Sequence, residues 1–484
     1  MNLAKLFLMV TSLALLSSCN SGKESEASAF LRENNRNYCY TETALVGSGG
    51  NRIPFSPYQY ATLYDAMDTL EILKVFHTVY SKQYPDSTVV SDAFIQEHAR
   101  KRVKQWEESS HYRHLPWEEF REYWLPYRIE TEKFCDYHVA LDAKYAHITN
   151  ALKQGMSVTE VTNMLQSDLR KWLVFDLRDH ASLNQPSVLE TMELGKGGCR
   201  GITTLTTLAL RNIGIVSAID ECPVWAHRNS GHQWNVVLTE NGEWIPFNGA
   251  EDSIGAVFPT LNDSVKAPKI YRKQFSRNPD FAPPVSREQT PALFLNDCRR
   301  DVTSAYQPTV DVTVTPIREH EDSVLYLAVF NAEVWKIVSW AELKDGKATF
   351  KDMGCNDIVY LPVYYYRRTT LPAGRPFILH KDGSRTELQA DPTRLLDRQL
   401  TYSNRFYDIQ WLQSKSSPGR VLELYYWDGY WKPCDTYTTQ AGKPLSFRRV
   451  PEGALYLIKG VDFDNTWQRI FTLDGDEQRW YCCE

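Results

Sequence analysis

The stretch from Gly195 to Asn248 constrains the fold more than any other. It opens on the glycine-rich turn Gly197-Gly198-Cys199-Arg200-Gly201 and runs into Ile202, Leu205, Leu208, Ala209 and Ile213, which stripe one face of a helix. Gly214 stands where a helix C-cap is expected. The period then changes to two, in the runs Val224 to Arg228, His232 to Leu238 and Glu243 to Asn248, with Asn229-Ser230-Gly231 as a turn between the first two. One helix followed by short alternating strands buries its stripe against an antiparallel sheet, so the expected class is α+β.

At 484 residues the chain exceeds what one core serves, and its flanks differ in pattern. Residues 57–180 are expected to be mostly helical: Leu70, Leu73, Val75, Phe76 and Val79 recur at helical spacing, as do the apolar positions of Ala140 to Leu152 and Val158 to Val174. Residues 181–291 hold the core unit and a linker, since Pro, Arg, Asn and Ser become dense between Ala267 and Pro291. Short β-like runs follow, among them Val310 to Val314, Val324 to Phe330, Ile358 to Tyr366 and Arg420 to Tyr426. They predict a β-sandwich over 292–392 and a second β-rich domain over 393–484, folding apart from the core.

The N-terminus carries a targeting pattern. Lys5 precedes the apolar stretch Leu6 to Leu16, which suits a signal peptide and is too short to span a bilayer. Leu16-Ser17-Ser18-Cys19 resembles a bacterial lipobox, which predicts residues 1–19 as a lipoprotein signal peptide with its lipobox Cys, lipidation of Cys19, and residues 20–56 as a tether. The expected location is the cell envelope, lipid-anchored to the outer membrane. A net charge of −6 without basic clusters argues against nucleic acid as a partner. The other nine cysteines are too scattered for a disulfide framework, and no CxxC or HExxH suggests a metal; no cofactor is expected.

Cys199, placed after two glycines at the start of a capped helix, has the setting that favours a thiolate nucleophile. A base is needed, and His227 and His232 compete. His232 opens a strand, which fixes its position. If the hairpin loop has three or four residues, pairing brings Asn248, at the end of Trp244-Ile245-Pro246-Phe247-Asn248, opposite His232 or one position away. Asn248 can then orient the imidazole, completing a Cys-His-Asn set. Of Trp225, Trp234 and Trp244, two are expected in the core. Tyr127 and Arg128 either reach the cleft or tie the helical region to the core unit.

Gly-Gly-Cys-Arg-Gly, Leu-Arg-Asn-Ile-Gly-Ile, Gly-His-Gln-Trp-Asn-Val-Val and Trp-Ile-Pro-Phe-Asn together resemble, in order and spacing, the core of the transglutaminase-like superfamily. The flanks, including Leu125-Pro126-Tyr127-Arg128, share a general character with lipoproteins of gut Bacteroidetes. The resemblance implies a papain-like core with Cys199, His232 and Asn248 as catalytic residues, though many members carry Asp where this chain has Asn248. It also implies acyl transfer at an amide of a peptide or protein. Three functions fit: a thiol peptidase or amidase first, a cross-linking acyltransferase second, and a non-catalytic lipoprotein binding glycans or peptides third.

Overall fold

The computed structural model describes residues 22–46, 52–54, 78–176, 185–254, 264–318, 321–405, 418–461, 465 and 467–482. Cys19 and the apolar stretch before it lie outside these residues, as do Leu70, Leu73, Val75 and Phe76. No helix among the described residues is long and apolar enough to cross a membrane. The chain divides into two compact units: residues 1–220, 233–258 and 273–277 in one, and 221–232, 259–272 and 278–484 in the other.

The first unit is rich in helices. Residues 22–34, expected to be part of a tether, are helical, because Ala27 and Leu31 lie one turn apart and are fully buried. Val79, expected in a helix, lies instead in strand Thr78–Pro85, where the antiparallel partner Cys39–Val46 supplies a ladder that local spacing does not reveal. Asp92–Glu108, Trp117–Tyr123, His138–Lys153 and Val158–Trp172 are helices. Ser91 accepts the Phe94 N–H to start one of them, and Ser157 and Glu160 form a reciprocal capping box at another. Val158, Val161, Leu165 and Leu169 make the buried stripe of that last helix.

In helix Cys199–Ile213 every residue from Gly201 to Ile213 is buried. Gly214 ends it at φ +117°, a conformation that favours glycine. Strands Ser217–Cys222, His232–Leu238 and Trp244–Phe247 are neighbours in that order in one sheet. All of Ser217–Cys222 is buried, so it lacks the alternation that marks a half-exposed strand.

Val224 to Arg228, expected to be a strand, is a loop of the second unit. Asn331 Nδ2 donates to the carbonyl oxygens of Trp225, Arg228 and Ser230 at 2.9, 2.8 and 3.1 Å, so one amide gathers the backbone and overrides its β propensity. The β-like runs of the last third fall on strands Thr309–Val314, Val324–Asn331, Ile358–Tyr366 and Val421–Trp427. They belong to an eight-stranded and a five-stranded antiparallel sheet. One hydrophobic cluster joins Val324, Tyr326 and Leu361 to Leu455, Leu457 and Ile470, and takes in Tyr271, Phe281 and Phe294. The two sheets share a core, and part of the expected linker contributes aromatic side chains to it.

Candidate active site

Cys199 is the first residue of its helix, with extended Gly198 as N-cap and no side-chain cap. The backbone N–H of Gln233, the residue after His232, acts on the Cys199 Sγ in the direction that favours the thiolate. Asn235, two residues further along that strand, donates through Nδ2 to Thr203 O at 2.9 Å and Thr207 Oγ1 at 2.8 Å, while Thr203 Oγ1 donates to Cys199 O at 2.7 Å. Strand His232–Leu238 is thus tied to the first two turns of the Cys199 helix. His232 itself is part-exposed at the strand's first position. Gly231 before it has no space for a side chain: a Cβ there would lie 2.3 Å from Pro223 O.

Burial pushes the Cys199 thiol above the usual thiol range, against the lowering expected from its helix end. The Gln233 N–H, then Lys273 and Arg200, pull it back, and Glu130 adds to the rise. A thiol held neutral in this way needs a base before it can attack. His227 is a poor candidate for that role. It is buried, its Nδ1 accepts the Lys266 N–H at 3.0 Å, and burial, with Arg228 and Arg469, holds it well below the usual imidazole range.

Leu238 pairs with Trp244 and Asn235 with Phe247, which leaves a five-residue connection, Thr239 to Glu243, rather than three or four. Continued one step, this register sets Asn248 across from Trp234, two residues short of the position opposite His232. Asn248 is buried, and its Nδ2 donates to Asp252 Oδ2 at 2.6 Å, as does its backbone N–H at 3.2 Å. Because an ionised carboxylate only accepts, the amide nitrogen must face Asp252, which turns Oδ1 the other way. Gly249 is as constrained as Gly231, since a Cβ there would meet Asn235 Oδ1 and Thr206 Oγ1 at 2.6 Å.

Four residues around this site were not singled out from the sequence. Asp252 fixes the Asn248 amide. Gln166, fully buried, donates to Asn248 O and Asp252 O at 3.0 and 2.8 Å and accepts the Ala250 N–H at 2.9 Å, clamping the turn after the last strand. Glu130 and Lys273 form a buried ion pair. Arg200 Nε and Gln233 Nε2 also approach the Glu130 carboxylate, at 3.5 and 3.4 Å. Asn-Gly-Ala-Glu-Asp was the only visible hint, an acid one turn beyond Asn248; Glu130 and Lys273 are too far away in sequence to signal anything. Tyr127 and Arg128 serve the core: the Tyr127 hydroxyl donates to Asp86 at 3.0 Å, and buried Arg128 pairs with the same carboxylate. Trp225 and Trp234 are fully buried, and Trp244 packs edge-on against Tyr123.

Among the described residues no cluster of three or more His, Cys, Asp or Glu side chains could hold a metal ion. The chemistry is that of a thiol at a helix start beside a strand that begins with histidine. Residues 146–249 match the model of the transglutaminase-like superfamily. This segment is a transglutaminase-like domain. Its span includes Cys199, His232 and Asn248, while Glu130 and Lys273 lie outside it.

Among solved structures, the chain is similar to a "putative cysteine protease" from Cytophaga hutchinsonii, at 13% identity and TM-score 0.20, over 25% of this chain and 43% of that one. It is also similar to red sea bream transglutaminase, at 9% identity and TM-score 0.22, over 66% of this chain and 70% of that one. The chain thus spans less than half the length of the first of these. No curated protein matches it.

Proposed function

We propose that this protein is a thiol enzyme that transfers acyl groups from amides of peptides or proteins, with water as the usual acceptor. Cys199 is the nucleophile, His232 the base and Asn248 the residue that orients the imidazole. His232 takes the Cys199 proton as Sγ bonds to the amide carbon; collapse of the tetrahedral intermediate breaks the C–N bond, and the departing amine leaves with that proton. Water then attacks the thioester, giving one proton to His232 and releasing the acid as the thiol re-forms. The Cys199 backbone N–H, first in its helix, is the oxyanion donor in this reading. The observation that carries it is the placement of Cys199 at the start of a helix that Asn235 ties to the strand opened by His232, within a transglutaminase-like segment. The test is amine release from a peptide mixture by wild type, Cys199→Ala and His232→Ala, with and without an added primary amine. Full turnover in Cys199→Ala sinks the proposal, and capture of the added amine would assign cross-linking instead of hydrolysis. A Cys199 inert to alkylation at pH 8 would point to a binding protein for peptides or glycans.

Lipidation of Cys19 is part of the same proposal, and would hold the enzyme at the outer membrane. Cys19→Ala should appear in the soluble fraction; its retention in washed membranes counts against the anchor.

A further inference from the structure

An asparagine is an ambiguous partner for a histidine. Its Oδ1 accepts and its Nδ2 donates, so the two ways round of one amide ask for opposite protonation of the imidazole nitrogen they meet. With Oδ1 presented, that nitrogen carries the proton and the other is ready to take one from a thiol. With Nδ2 presented, the tautomer is reversed and the base is lost. An aspartate carries no such ambiguity, because both its oxygens accept.

The structure settles the choice from behind. Asn248 Nδ2 and the Asn248 backbone N–H both donate to Asp252 Oδ2, at 2.6 and 3.2 Å. Flipping the amide would set Oδ1 against that oxygen. The turn that carries both residues is closed by the Glu251 and Asp252 N–H groups, which donate to Asn248 O at 3.2 and 3.1 Å, with Ala250 at φ +62°. Helix Val158–Trp172 clamps it: Gln166 donates to Asn248 O and Asp252 O, and Asn163 Oδ1 accepts the Ile254 N–H at 2.9 Å. His232 and Trp234, two apart on one strand, point to the same face, so the register makes His232 the diagonal neighbour of Asn248.

Resting on Asn248 as the residue that orients His232, we propose that Asp252 is a positioning residue that fixes the tautomer of the base. It only accepts, so it holds Nδ2 and turns Oδ1 to the imidazole. Asn248 then behaves as an acceptor alone, as an aspartate at that position would.

The place of the proton on His232 is read by two-bond 1H–15N spectra of the ring-15N-histidine-labelled full chain, at a pH where the ring is neutral. Cys199→Ala removes the thiol for this measurement, and His232→Gln assigns the signal. One ring nitrogen should be wholly pyrrole-like and the other wholly pyridine-like. Adding Asp252→Ala should let the amide turn and draw the two shifts together as tautomers exchange. Should that chain not fold, Asp252→Ser, whose hydroxyl donates as well as accepts, carries the same expectation. Asn248→Asp/Asp252→Asn should restore one tautomer. Glu251→Gln removes a charge that interacts with Asp252 but keeps the acceptor of the Asn248 amide, and should leave the spectrum unchanged. With Cys199 in place, Asp252→Ala should lower amine release from a peptide mixture about tenfold, with KM within about twofold. Mixed tautomers before any change at Asp252, or a single unchanged tautomer after it, overturns the proposal even in a chain that cleaves amides. The expected tautomers in a chain whose amine release survives Cys199→Ala refute the proposed reaction alone.

Discussion

Replacing Asn248 with Asp would give this chain the acid that many transglutaminase-like proteins carry, and the structure predicts that the change is harmful. Asn248 Nδ2 lies 2.6 Å from Asp252 Oδ2, so the new carboxylate would put oxygen against oxygen. Two unit charges that close repel by about 6 kcal/mol at an effective dielectric of about 20, an upper bound before side chains shift or one takes a proton. Allowing for both, a loss of about 2 kcal/mol is expected, or about 4–8 °C in melting temperature for a unit of this size. The sign with pH follows. The folded-state pKa of the introduced acid is raised above its unfolded value near 4, so the penalty is absent below about pH 4, grows as pH rises towards the folded pKa, and is complete above it. Thermal melts of wild type and Asn248→Asp at pH 4 and pH 8 measure this, and turnover should fall with stability at pH 8. The double variant Asn248→Asp/Asp252→Asn restores a single charge and one hydrogen bond, and should recover most of both. Equal melting temperatures for wild type and Asn248→Asp at pH 8 would refute the reasoning.

Three more outcomes are expected. His227→Ala should leave Cys199 reactivity within about twofold while costing about 1–3 kcal/mol, because it strands the buried Lys266 N–H; denaturant melts and alkylation rates check both. Asn331→Ala removes the donor for three carbonyl oxygens and should destabilise the second unit by about 2–4 kcal/mol, read in the same melts. Residues 292–484 expressed alone lack Tyr271 and Phe281 of the shared core, so calorimetry should show no cooperative transition.

The helix-strand core was legible because its signals are local. Gly214 and the Ile202, Leu205, Leu208 stripe sit on the chain they describe, and a buried helix with a left-handed cap is what they produce. Glycines beside His232 and Asn248 were visible too, although only packing shows why they are glycine. Long-range partners erased other signals. Val224 to Arg228 has strand composition but folds around Asn331, about a hundred residues away. Ser217–Cys222 hides its strand because burial on both faces removes alternation. The charged surroundings of Cys199 come from Glu130 and Lys273, which no spacing rule connects. The helix end alone suggested a lowered thiol pKa; desolvation reverses that, and depth cannot be read from a motif.

The enclosure of helix Cys199–Ile213 has a consequence for dynamics. With every residue from Gly201 onward buried, its amides have no low-energy route to solvent. They should be among the last in the first unit to exchange hydrogen for deuterium, opening only with that unit's global unfolding. The candidate thiol is therefore mounted on a piece that does not breathe. Any adjustment needed to admit a bulky acyl donor falls to the other parts of the site, and substrate has to reach a sulfur that will not move to meet it.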